Sequence, residues 1–160
     1  MPLDESAKKT ALRMIPYGLF VLGTCGQEQV NASTVNWVSQ ASFRPPLVMV
    51  GVKTDSRAYQ HLKERPVFSL NFLESGQKDV AFAFFKTVEP EEETIGGYRF
   101  QRGETGAPIL EVAPAWVECR VTDVIERGDH AVVVGEVVAA GLRREAQPLT
   151  MAECGVTYGG

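Results

Sequence analysis

Three stretches of this sequence carry residue types whose spacing could do chemistry. Residues 31–42 set Ser33, Thr34, Asn36, Gln40 and Ser42 among small side chains and Trp37, and lead into Pro45 and Pro46. Small side chains let a flat ring approach the backbone, and hydroxyls and amides can meet the carbonyl and N–H edge of that ring. A solvated edge strand would have the same composition. Residues 53–57 place Lys53, Thr54, Ser56 and Arg57 at the expected start of a helix. Unpaired N–H groups, a positive dipole and two cations make a phosphate seat, although a capped surface helix has the same residues. His130 follows Gly128 and Asp129, where it either lines an active-site face or only bonds to Asp129.

Other chemistries are poorly served. Neither a G-x-G-x-x-G between strand and helix nor a G-x-x-x-x-G-K-[ST] occurs, so neither a dinucleotide fold nor a P-loop is signalled. Two histidines, His61 and His130, are too few for the usual catalytic zinc site. No nucleophile sits in a G-x-S-x-G elbow. Cys25, Cys119 and Cys154 are odd in number and widely spaced, which suits apolar fillers in a reducing, cytoplasmic setting. No metal site is expected.

The elements that must position these groups are mainly strands. Ser6 can cap a short helix over 6–13, ended by Pro16. Residues 17–24 and 30–38 read as a hairpin turned at 26–28, and the apolar run 47–52 as a strand covered on both faces. Asp55 or Ser56 can cap a helix through Ala58, Tyr59 and Leu62, with Pro66 ending it before a strand at 67–73. Residues 79–86 look helical. Phe82, Phe84 and Phe85 are expected in the core, His61 in solvent, and 88–93 in an acidic surface loop. In 116–123, Val117, Cys119 and Val121 alternate with Glu118, Arg120 and Thr122, the period of a strand with one wet face. It pairs with 131–138 across the turn at Gly128 and Asp129. About six strands with short helices between them predict a closed antiparallel barrel.

With 160 residues, the chain fits one domain over 1–160. Sixteen Lys and Arg against 20 Asp and Glu leave a net charge of -4, so no chain-wide positive field exists to hold nucleic acid. No apolar run reaches the roughly 20 residues of a membrane-spanning helix. Acidic residues ahead of Lys8 and Lys9, with no apolar core behind them, argue against export.

The order of Tyr17-Gly18, residues 31–42, Pro45-Pro46, residues 53–57, the strand at 68–73, Gly128-Asp129-His130 and Gly135-Glu136-Val137 resembles the flavin reductase-like proteins with an FMN-binding split barrel. Within them it is most similar to the flavoredoxin and ferric reductase branch and to the reductase domains fused to some rubredoxins and diflavin proteins. The resemblance spans about residues 13–150 and implies a six-stranded antiparallel Greek-key split β-barrel with a few short helices. It implies a homodimer with one flavin per subunit, FMN or possible FAD, near the dimer interface. Ser33, Thr34, Asn36 and Trp37 would lie along the isoalloxazine, Gln40 and Ser42 would contact the ribityl chain and ring edge, and Lys53, Ser56 and Arg57 would take the phosphate. His130 would stand where the nicotinamide of NAD(P)H approaches. The implied function is an NAD(P)H-dependent flavin reductase that passes electrons to free flavin, iron or a redox protein partner. An electron-transfer module without its own NAD(P)H site, or a flavin-free binding barrel, is the alternative. Tyr158, in the glycine-rich segment 155–160, has no assigned role beyond a reach toward the other subunit.

Overall fold

Val, Thr and aromatic residues on either side of the turn at 26–28 favour extended backbone, and they form the predicted hairpin of β1 (Phe20–Cys25) and β2 (Val30–Val35). In the computed structural model, which describes residues 1–160, α1 (Glu5–Leu12) precedes this hairpin. After it come β3 (Val38–Ser42), β4 (Leu47–Lys53), α2 (Arg57–Glu64), β5 (Val67–Phe72), α3 (Lys78–Ala83), β6 (Thr94–Ile95), β7 (Tyr98–Arg102), β8 (Pro108–Leu110), β9 (Ala115–Glu126), β10 (His130–Leu142) and α4 (Met151–Cys154). The protein is mainly β, and every strand pair is antiparallel.

Instead of six strands in a closed barrel, seven form one sheet in the order β2-β1-β5-β9-β10-β4-β3, and β6, β7 and β8 form a second small sheet. The two edge strands of the large sheet, β2 and β3, are consecutive in the chain and joined only by Asn36 and Trp37. Such a link spans at most about 11 Å, so the sheet must roll until its edges approach. They do not pair with each other: β2 bonds to β1, and β3 to β4. Helix α2 fills the seam by packing on β1, β2 and β4. Its Ala58, Tyr59 and Leu62 join Leu22, Val50, Phe68, Cys119 and Val133 in the core inside the rolled sheet. A second core, with Leu73, Phe84, Ile95, Leu110 and Leu149, lies under the small sheet. Each fully buried side chain of this size contributes about 1.5–3 kcal/mol.

Several local expectations change. The first helix begins one residue earlier, because the Asp4 carboxylate rather than Ser6 accepts the Ala7 N–H, at 2.9 Å. The polar run 31–42 is two strands, broken at Asn36 and Trp37. Strand β4 is covered on one face only, since Met49 is 39% exposed. On β9, Glu118 is buried because the loop between β7 and β8 covers that face, and its carboxylate accepts from the Glu104 and Thr105 N–H groups at 3.1 and 2.9 Å. Of the three phenylalanines only Phe84 is in the core; Phe82 and Phe85 are exposed.

His61 is buried rather than solvated. Its Nδ1 lies 3.4 Å from the Thr24 hydroxyl on β1. Burial holds its pKa below the ordinary 6.5, against the opposing pull of Glu64. The unfolded chain therefore binds this proton first as pH falls, and stability drops below about pH 6.5. The melting temperature should decline between about pH 7.5 and 5.5, and His61→Gln should flatten that decline. A variant whose melts retain the full pH dependence would show that other groups cause it.

Candidate functional site

The seam between the sheet edges opens into a cleft of about 600 Å³, a size typical of small-molecule sites. Its walls are residues 31–36, the end of β4 at 51–53, the start of α2 at 55–58, residues 84–87, His130, Met151 and residues 156–158. Thr34 ties α3 and the residues after it to this wall: its N–H donates to Phe84 O at 3.0 Å and its hydroxyl to Ala81 O at 2.5 Å.

At one end, three rings meet. Trp37 lies against Gly51, whose N–H donates to Trp37 O at 2.8 Å. A Cβ on Gly51 would sit 3.0 Å from the indole Cε3 and 3.1 Å from its Cβ, so this close approach requires glycine. The Trp37 ring centre is 4.5 Å from that of His130 and 5.3 Å from that of Tyr158. His130 Nδ1 is 2.9 Å from Asp129 Oδ1, and its Nε2 is 2.6 Å from the Tyr158 hydroxyl. The carboxylate can only accept, so a neutral ring carries its proton on Nδ1, and Tyr158 donates to Nε2. The bond from His130 holds the Asp129 carboxyl below its usual range. Burial pushes the Tyr158 phenol up, which keeps it a donor at neutral pH. Both imidazole nitrogens are thus engaged, so the bland expectation of an Asp129 bond and a place in the cleft wall hold together. The segment carrying Tyr158 is tied down by Asn36, whose amide donates to Tyr158 O at 3.3 Å and approaches Met151 Sδ at 2.9 Å.

Cations line the same cleft beside these rings. His130 and Lys53 are register partners across β10 and β4. The Thr54 N–H and hydroxyl donate to Asp129 O at 3.0 and 3.1 Å, which locks the 53–57 turn to the turn before β10. Ser56 caps α2: its hydroxyl accepts from the Tyr59 N–H at 3.1 Å and donates to Lys53 O at 2.7 Å. Lys53 Nζ stands 3.8 Å from Asp55, and Arg57 Nη2 stands 2.9 Å from Glu89. Arg57 Nη1 and Trp37 Nε1 are buried without hydrogen-bond partners.

Of the residues singled out in the sequence, Ser33, Thr34, Asn36, Lys53, Ser56, Arg57 and His130 line this one cleft. Trp37 backs it through His130 and Tyr158. Gln40 and Ser42 stand outside its wall, because the break at residues 36–37 carries β3 to the opposite edge of the sheet, where the Gln40 amide donates to Ser42 O at 3.4 Å. Sequence reasoning missed Lys86 and Thr87, expected Phe85 in the core, and did not place Tyr158. An aromatic residue isolated among glycines was the signal for Tyr158; nothing local marks the others.

A mainly antiparallel sheet rolled around one cleft lined by cations and aromatic rings defines a cofactor-binding β domain. The chain belongs to the flavin reductase like domain family, whose sequence model matches residues 12–159. It is 37% identical over 106 residues to the stachydrine N-demethylase reductase subunit of Rhizobium meliloti (strain 1021), covering 66% of this chain and 45% of that one. The NADH-dependent FAD reductase of Streptomyces globisporus is 31% identical over 143 residues, 87% of this chain and 77% of that protein. Among solved structures, the FMN-binding protein of Thermus thermophilus with bound 1-cyclohex-2-enone superposes with a TM-score of 0.72 at 31% identity, covering 89% of this chain and 77% of that one. Against several curated relatives the chain spans only 24% to 45% of their length.

The packing of Trp37 on Gly51 gives a direct test. Gly51→Val forces the indole off the strand, which should cost about 1–3 kcal/mol of stability and disturb the His130 and Tyr158 rings stacked beside it. Thermal melts and tryptophan fluorescence read both effects; an unchanged emission spectrum would show that the ring cluster does not depend on this contact.

Proposed function

We propose that this protein is an NAD(P)H-dependent flavin reductase that binds FMN, or FAD through its shared phosphoryl end, in the cleft along the sheet seam. The observation that carries this reading is that, in a chain of this family, one cleft is lined by Lys53, Arg57 and Lys86 together with the His130 and Tyr158 rings, behind which Trp37 stands. The unpartnered Nη1 of Arg57, a cleft-lining residue, is a polar atom that a ligand's phosphate could satisfy. A flavin bound here supplies the two-electron chemistry that links a reduced nicotinamide to an acceptor.

The residues of this chain bind and orient. Ser33, Thr34 and Asn36 line the ring's path, with Trp37 behind, and Lys53, Ser56 and Arg57 face the phosphate. Gln40 and Ser42 stay assigned to the ribityl chain and ring edge only if a second subunit brings them near. His130 presents a fixed imidazole at the face where the nicotinamide docks. Because both its nitrogens are engaged, it positions the substrate instead of moving a proton. The acceptor is free flavin, iron or a partner protein; the N-demethylase reductase subunit among the relatives supports a partner. Three free thiols, with Cys119 pushed up to about 12 by burial, suit the reducing cytoplasm. The rolled sheet with its unpaired seam is our reading of the split barrel.

NADH oxidation followed with and without added FMN tests the activity. Oxidation should require the flavin, and His130→Ala should slow flavin reduction at saturating NADH by about tenfold or more. The same change should lower stability by only about 1–3 kcal/mol. Flavin binding without NADH oxidation would leave an electron-transfer module, and no flavin binding would leave a flavin-free barrel.

The outer face of β4, β9 and β10 exposes Met49, Ile125, Val132 and Val138, apolar surface that a second copy would cover. Sedimentation at micromolar concentration should therefore give a homodimer, and a stable monomer would refute it.

A further inference from the structure

We propose that Glu89, assisted by Asp55, weakens this cleft's hold on a phosphorylated flavin by competing for the cations assigned to its phosphate. The inference rests on the flavin reading above. Both cations assigned to the phosphate already have a carboxylate of this chain beside them: Asp55 lies 3.8 Å from Lys53, and Glu89 lies 2.9 Å from Arg57. Asp55 itself lines the cleft. Lys86 is the one cation in the cleft wall without a carboxylate at ion-pair distance. Three positive charges less two negative ones leave about one to face a phosphate that carries about −1.5 to −2.

The guanidinium geometry makes Glu89 the larger influence. A strong grip on phosphate uses two parallel N–H groups of the fork. In this chain Nη2 is taken by Glu89 and Nη1 is buried. A phosphate that takes the Nη2 side of the fork must displace Glu89, and the energy of the lost pair is then subtracted from the binding. Glu89 is held in position for this. It belongs to the acidic loop 88–93, which the Glu91 N–H anchors to Thr94 O at 2.8 Å and a bridge between Pro90 and Ile95 closes. The bond from Arg57 also depresses the Glu89 carboxyl pKa, so the competitor is fully ionised at neutral pH. The loop is a counter-charge at the phosphate end, beyond its role as a solvated surface.

Titration of FMN and riboflavin against the parent, Glu89→Gln and Asp55→Asn, followed by quenching of flavin fluorescence, tests the assignment. Glu89→Gln should tighten FMN about three- to fivefold, slow its loss on gel filtration, and leave riboflavin, which has no phosphate, within about twofold. Asp55→Asn should move FMN in the same direction by less. The gain should vanish in about 1 M salt, where screening acts over only about 3 Å. Glu89 is exposed, so a melting curve matching the parent confirms that the variant is folded. FMN binding that is unchanged in Glu89→Gln overturns the inference. Weaker FMN binding with riboflavin unaffected also overturns it, because Glu89 would then be holding Arg57 in place for the phosphate. A parent protein that binds neither flavin instead overturns the flavin reading itself.

Discussion

The two-residue link between β2 and β3 is the constraint on which the rest of the structure depends. Asn36 and Trp37 join strands that occupy opposite edges of a seven-stranded sheet, and a chain that short cannot cross an open sheet. The sheet must roll, yet its edges carry no ladder between them. The seam is therefore a place where backbone groups, a helix start and side chains from several elements converge without a sheet to cover them. Helix α2 occupies part of it with Tyr59 and Leu62, and the remainder is the cleft. The cleft is thus a direct product of how the sheet rolls without closing.

Within the cleft, most polar groups are already partnered by the protein. Ser56 is used as a helix cap, Thr34 as a tie to α3, and Asn36 as a tie to the segment carrying Tyr158. His130 is fixed between Asp129 and Tyr158. A site organised this way gives shape and orientation more than free acid or base groups, which suits chemistry carried by a bound cofactor.

Most strands of the large sheet, the hairpin at β9 and β10, and the capped start of α2 were legible because period, turn residues and capping residues act over short separations, whereas the small sheet of β6, β7 and β8 was not foreseen. Part of the cleft was legible too, since residues 31–36 and 53–57 stand out by composition. What escaped has a common cause in long-range contact. The break at Asn36 and Trp37 is enforced by where β3 must pair, and nothing in those two residues demands it. Glu118 and His61 look like surface residues until a distant loop or strand covers them. The Arg57–Glu89 pair joins residues 32 positions apart, and Tyr158 reaches His130 across 28. Neither separation leaves a local pattern.

The segment 156–158 is one wall of the cleft, and its anchors are few: the Asn36 amide, the His130 ring and, at its far side, a bond from Arg13 Nε to Gly159 O at 3.2 Å. Helix α1, which lends Arg13, buries none of its own residues. Val156 also packs against the core that holds Leu149 and Met151, and Tyr158 against Trp37, so this wall is held by apolar contact as well as by hydrogen bonds. The margin of the cleft is thereby continuous with a hydrophobic core, and a change in the packing of one reaches the other through Val156 and Met151.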